Sequence, residues 1–228
     1  MTFLSPSRSD EMTFPPGDSS SPRAAGTSPE DATAIPARML LWVDQVGGFL
    51  VCLRDEVTIG ATNGGPEEVD IPLIANLSRR HATIHRQGET YSISAHAPSF
   101  LGDRAIDHEA WLSSNKDLRL GGVGFRFRQP TVLSATAVLD STTSHRIAGG
   151  AEGIVLMHEL CLLGPAADHH IVCRHWNDPI ILFRRKDQLR CKSPGPLFVD
   201  GELVEGDAAL THGTIVTGTD ARFRVEYC

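Results

Sequence analysis

The sequence predicts an all-β protein: two similar β-sandwiches in tandem behind a disordered N-terminal tail. Three observations carry this. Short apolar runs are cut by Gly, Pro, Asn and Asp, and hardly any window keeps a 3.6-residue period over three turns. The text from residue 38 repeats itself weakly after residue 130. Before residue 38 it is Ser, Pro, Gly and Thr, with few large apolar side chains. Such a stretch cannot bury enough surface to offset its ordering entropy, so 1–37 is expected to be a disordered tail.

Strand signals then follow in order. Ala82-Thr83-Ile84-His85-Arg86 and Thr90-Tyr91-Ser92-Ile93-Ser94 alternate around Gln87-Gly88-Glu89, a hairpin. Asp200-Gly201 between Val199 and Glu202 is a two-residue hairpin turn. Ala221-Arg222-Phe223-Arg224-Val225-Glu226-Tyr227 alternates with period two. The repeat sets Leu50-Val51-Cys52-Leu53 on Ile154-Val155-Leu156-Met157, and residues 84–103 on 182–201, pairing Arg86 with Arg184. Two sandwiches of ordinary size are expected, 38–130 and 131–228, with 141–153 a longer loop of the second.

Composition removes several functions. The net charge is −7, which argues against a nucleic-acid grip, since that needs a basic field. No apolar run approaches the ~20 residues a bilayer needs, and no signal peptide is visible, so neither a membrane nor export is expected. Five Cys without a Cys-x-x-Cys pair suit a reducing, cytoplasmic setting.

One stretch is far more specific. It runs Val57-Thr58-Ile59-Gly60, then Val69-Asp70-Ile71-Pro72-Leu73, then Asn76-Leu77-Ser78-Arg79-Arg80-His81-Ala82-Thr83-Ile84. It continues through Tyr91-Ser92-Ile93 and Ser99-Phe100-Leu101 to Leu118-Arg119-Leu120-Gly121 and Phe125-Arg126-Phe127. This resembles the forkhead-associated (FHA) domain over residues 38–130. The resemblance implies a sandwich whose loops at one end bind phosphothreonine peptides. By it, Ser78 touches the phosphate, Arg79 adds a basic contact, Gly60 lets the strand end turn, and His81 ties the loops together. A phosphate dianion offers strong acceptors that a hydroxyl, backbone N–H groups and an Arg fork satisfy.

The chain departs from that pattern at two contacts. The family's main clamp is an Arg directly after the Gly; here it is Ala61. The family's Asn before the next strand is replaced by His96-Ala97-Pro98. At ~1.5–3 kcal/mol per bond to a charged group, the loss is about 3–5 kcal/mol. Arg80, Arg86, Arg104 and His96 are candidate substitutes. In the second copy Val172-Cys173-Arg174-His175-Trp176 is expected in the place of Leu77-Ser78-Arg79-Arg80-His81, without the hydroxyl or the His, so the copy reads as a packing partner.

The expectation is a non-catalytic interaction or scaffold protein with a protein partner, including the phosphothreonine-containing class, and with no cofactor, metal or small-molecule substrate. One alternative is a working phosphothreonine reader in Ser/Thr kinase signalling; the resemblance implies that setting or a secretion assembly, the two that bacterial FHA proteins commonly serve. An alternative of another class is a metal-dependent or hydrolytic enzyme at Asp168, His169, His170, Cys173 and His175, whose spacing is not a known ligand pattern.

Overall fold

The computed structural model describes residues 35–62 and 69–228. The expected tail lies outside the described residues except for its last three, of which Ile35 packs against the second core. All regular structure among the described residues is β.

Twelve strands form one sheet. In spatial order they are β20 (Glu202–Val204), β19 (Leu197–Val199), β22 (Ile215–Thr217), β23 (Arg222–Tyr227), β1 (Arg38–Val43), β2 (Gly47–Cys52), β14 (Gly153–Leu156), β12 (Ala137–Ser141), β11 (Val123–Arg128), β10 (Lys116–Leu120), β7 (Ser99–Leu101) and β8 (Arg104–Ala105). A six-stranded sheet completes the first sandwich: β13 (Arg146–Ile147), β4 (Ile71–Ile74), β3 (Glu56–Ala61), β5 (Ala82–Gln87), β6 (Thr90–Ala95) and β9 (Glu109–Leu112). A five-stranded sheet completes the second: β16 (Ile171–Val172), β15 (Leu160–Gly164), β17 (Ile180–Arg185), β18 (Gln188–Lys192) and β21 (Asp207–Ala209). The predicted hairpins are present, and Asp200 and Gly201 both take positive φ, as their two-residue turn requires.

The two sandwiches exchange their first hairpins. β1 and β2 belong to the first repeat, yet β1 pairs with β23 of the second. β12 and β14 belong to the second repeat, yet β12 pairs with β11 of the first. In the middle, β2 and β14 run parallel, Leu50 opposite Ile154 and Val51 opposite Val155, the same pairs the repeat aligns. A boundary at residue 130 therefore divides the sequence but neither sandwich.

The central strands explain their own composition. Leu50 and Cys52 enter the first core while Val51 and Leu53 enter the second. Ile154 and Leu156 likewise face the first, Val155 and Met157 the second. Alternate side chains point to opposite faces, so the two covering sheets lie on opposite sides of the large one. Strands buried on both faces read as unbroken apolar runs, which is how both segments read.

Side-chain volume favours the exchange. On β12, Leu139 faces Phe127 and small Ala137 follows; on β1, Leu41 faces Val225 and Met39 follows. Tyr91 packs edge-to-face on Phe127 at 5.2 Å between centroids and donates to the Ala135 carbonyl at 2.7 Å. Moving β1 into the place of β12 would press Met39 into this filled region, an overpacking that costs about 1–3 kcal/mol.

Candidate functional site

Four connections of the first sandwich meet at one end: the end of β3, residues 75–81 between β4 and β5, 96–98 between β6 and β7, and the β10–β11 turn. Gly60 holds the first two together. A Cβ there would lie 1.7 Å from the Arg79 carbonyl oxygen and 2.9 Å from that of Ser78, so only glycine permits this approach. The contact is locked on both sides by Ala61 N–H donating to the Ser78 carbonyl at 3.0 Å and His81 N–H to the Ile59 carbonyl at 2.8 Å. Gly60→Ala should displace the 78–79 backbone and lower unfolding free energy by about 3 kcal/mol, measured by denaturant titration.

His81 joins the other two connections. It is buried, with Nδ1 accepting the Ser78 N–H at 3.4 Å. That leaves the proton on Nε2, which donates to the Pro98 carbonyl at 3.2 Å. Pro98 also accepts from Gly121 N–H at 3.2 Å, and Gly121 lies against the Leu77 side chain. His81→Ala should therefore cost about 1–3 kcal/mol of stability and leave Ser78 and Arg79 in place of a fixed loop with a loose one. Its thermal midpoint should fall, and phosphopeptide affinity should fall with it. Pro98 and Gly121 were not visible as members of this knot in the sequence, because their parts are played by backbone groups.

Ser78, Arg79 and Arg80 are exposed, and neither Arg makes an ion pair among the described residues. Arg80 turns into a cleft of about 440 Å³ that it shares with Arg54, Thr58 and Asp70 but not with Arg79. Asp70, of the Asp-Ile-Pro stretch, is structural: its Oδ2 accepts from Thr58 N–H at 2.8 Å and Thr58 Oγ1 at 2.7 Å, tying β4 to β3. His96 is at the loop end, but its Nε2 is bonded to Thr83 Oγ1 at 2.8 Å. Arg104 stands opposite Leu101 on the edge strand β8, two residues back from Ser99 along β7. Arg86 is not at this end. It is buried on the far part of β5 in an ion pair with Asp55, beside the junction of the sandwiches, and so is no substitute for the missing clamp.

The second copy needs a correction in register. β16 pairs with β15 with Val172 opposite Gly164, as Pro72 of β4 is opposite Gly60. Ile180 faces Leu163 as Ala82 faces Ile59. So Val172 stands where Pro72 does, and Trp176, Asn177, Asp178 and Pro179 take the places of Ser78, Arg79, Arg80 and His81. Asn177 bonds to Asp220 through its backbone N–H at 2.8 Å, and Trp176 is buried. Two carboxylates here, Asp178 and Asp220, oppose a phosphate.

The His/Cys set nearby is used in packing. His170 is buried and accepts the Leu162 N–H on Nδ1 at 2.9 Å, and burial pulls its pKa down to about 4. Burial pushes the Cys173 thiol up to about 12. Among the described residues no group of three or more His, Cys, Asp or Glu is placed to hold a metal ion.

No family model matches the chain, and no curated protein matches it. Solved structures similar to it include the Rv0020c FHA structure, at 20% identity over 40% of this chain and 91% of that one, with a TM-score of 0.27. Another is the N-terminal FHA domain from EssC, a component of the bacterial Type VII secretion apparatus, at 13% identity over 83% of this chain and 92% of that one, with a TM-score of 0.24.

Proposed function

We propose that this protein is a non-catalytic protein-interaction module of the FHA type, whose first sandwich carries a phosphothreonine site that has lost two contacts. The observation that carries this reading is the Gly60, His81 and Pro98 knot, which holds Ser78 and Arg79 out to solvent while residue 61 is Ala. An anion approaching Ser78 meets a hydroxyl with no partner among the described residues and an unpaired guanidinium. Ligands would be phosphorylated by a Ser/Thr kinase. The second sandwich supports the first by sharing its sheet, and its own loop end carries Trp176 and Asn177 where the first has Ser78 and Arg79, with Asp178 and Asp220 beside them.

The same knot argues against hydrolysis. Both ring nitrogens of His81 are committed to backbone groups, so His81 is not free to act as a base toward Ser78. The test is titration of a degenerate phosphothreonine peptide library, and its unphosphorylated counterpart, into the full chain. Weak binding is expected for the phosphorylated set alone, lost in Ser78→Ala. Equal binding of both sets would overturn the reading.

A further inference from the structure

We propose that residues 142–147, which come from the second repeat, form a wall of the first sandwich's site, and that Arg146 binds a second anionic side chain of the phosphopeptide. The proposal rests on the phosphothreonine reading above.

The path of this segment is defined at both ends. It leaves β12 beside the start of β11, where Thr142 N–H donates to the Gly124 carbonyl at 2.9 Å and Thr143 Oγ1 accepts from Gly124 N–H at 3.0 Å. Gly124 follows closely on the β10–β11 turn that touches Leu77 and His81. From there the segment crosses to the other sheet and adds β13 to the edge of β4, Arg146 opposite Ile74 and Ile147 opposite Leu73. It therefore spans the loop end from one sheet to the other.

The position of Arg146 is anchored. Ile147 is 2% exposed and belongs to the first core, and Ala148 N–H donates to the Pro72 carbonyl at 2.8 Å. Arg146 itself is exposed and makes no ion pair among the described residues. It lies toward the C-terminal end of β4, and β4 is parallel to β3, so this is the end at which Gly60 meets Ser78 and Arg79.

Register also sets the side. Neighbours across strands point to the same face. Ile147 and Leu73 point into the core, so Arg146 and Ile74 point outward. The face of Gly60 turned away from the core is covered by the 78–79 backbone. Arg146 and the Ser78–Arg79 loop thus share the outer face of one sheet. β13 is two strand spacings from β3, about 10 Å. That is too far for Arg146 to share a single phosphate with Ser78 directly. It is near enough for a carboxylate on a neighbouring residue of an extended peptide. Ile74, 58% exposed between them, offers an apolar surface to the peptide on the way.

The charge pattern selects the occupant. Arg79 and Arg146 are exposed cations on one face, and the chain as a whole is acidic, so a basic peptide gains nothing there that it would not gain elsewhere. An exposed, anchored arginine gives a peptide carboxylate a forked partner without first ordering the backbone.

The experiment is titration of the full chain with phosphothreonine peptide libraries in which Asp is fixed at one flanking position at a time. The wild type should prefer Asp at one position by about five- to tenfold. Arg146→Ala should erase that preference, Arg146→Lys should restore part of it, and Arg146→Glu should invert it. Thermal midpoints should be unchanged, since the side chain is exposed. If phosphopeptides bind in an Arg79-dependent manner but Arg146→Ala keeps the Asp preference, the wall is overturned while the phosphothreonine reading stands. If no phosphopeptide binds the wild type, both fall.

Discussion

Dividing the chain at residue 130 should leave neither half with a cooperative unfolding transition. The isolated C-terminal half loses Met39, Leu41, Val43, Val51 and Leu53 from the second core, each at most 4% exposed. At about 1.5–3 kcal/mol for each buried side chain, the loss is on the order of 10 kcal/mol. That equals the whole stability of an ordinary domain. It also bares the edge of β23, a run of unpaired backbone groups flanked by apolar side chains. The N-terminal half loses Ala137, Leu139, Ile147, Ile154 and Leu156 from the first core. It can fill the gap only by bringing β1 and β2 home, against the Met39 clash with Phe127 and Tyr91. Mixed halves should refold together into a stable one-to-one complex. Circular dichroism melts of each half and of the mixture measure this. Two independent, fully cooperative transitions without mutual affinity would show that the exchange contributes little.

Arg79→Ala should remove phosphopeptide binding, while Arg80→Ala should leave it nearly unchanged. Arg80 lines the cleft with Arg54 and Asp70, which neither Arg79 nor Ser78 lines. With residue 61 an Ala, Arg79 is the principal cation beside the Ser78 hydroxyl. A charge-assisted contact contributes about 1.5–3 kcal/mol, so its loss from an already weak site amounts to roughly ten- to a hundredfold. Fluorescence anisotropy with a labelled phosphothreonine peptide reads the effect. Equal losses in both variants would mean that the whole basic surface attracts the peptide without a defined pocket.

The sequence carried the strand text, the hairpins and the motif, because period-two alternation and turn residues are local properties. It did not carry the exchange. Leu50-Val51-Cys52-Leu53 and Ile154-Val155-Leu156-Met157 have the same pattern, so either hairpin suits either sandwich by periodicity. Only small Ala137, two residues from the Leu139 that faces Phe127, and Met39, two residues from the Leu41 that faces Val225, distinguish them, and that is a property of three dimensions. Arg86 illustrates the same limit: nothing local says at which end of a strand a side chain lies, or that this guanidinium is buried while its partner Asp55 stays exposed. The second copy's register slipped because its loop is shortened ahead of Trp176, which drew Cys173 into the place of Ser78. Arg146 was hidden for a further reason. It belongs to the second repeat by sequence and to the first sandwich by structure; the one local signal was the unusual length of 141–153.

The central claim is that the loop end retains the shape of a phosphothreonine site and lacks its clamp. Ala61→Arg tests it most directly. Ala61 sits beside Gly60 with its N–H bonded to the Ser78 carbonyl, so an Arg there grows from a backbone already fixed against the Ser78 loop. The full chain and the Ala61→Arg variant are titrated with the same phosphothreonine peptide library. The account predicts a gain of about 1–3 kcal/mol for phosphorylated peptides and none for unphosphorylated ones. No gain, with binding absent from both proteins, would contradict it and move the partner to another surface.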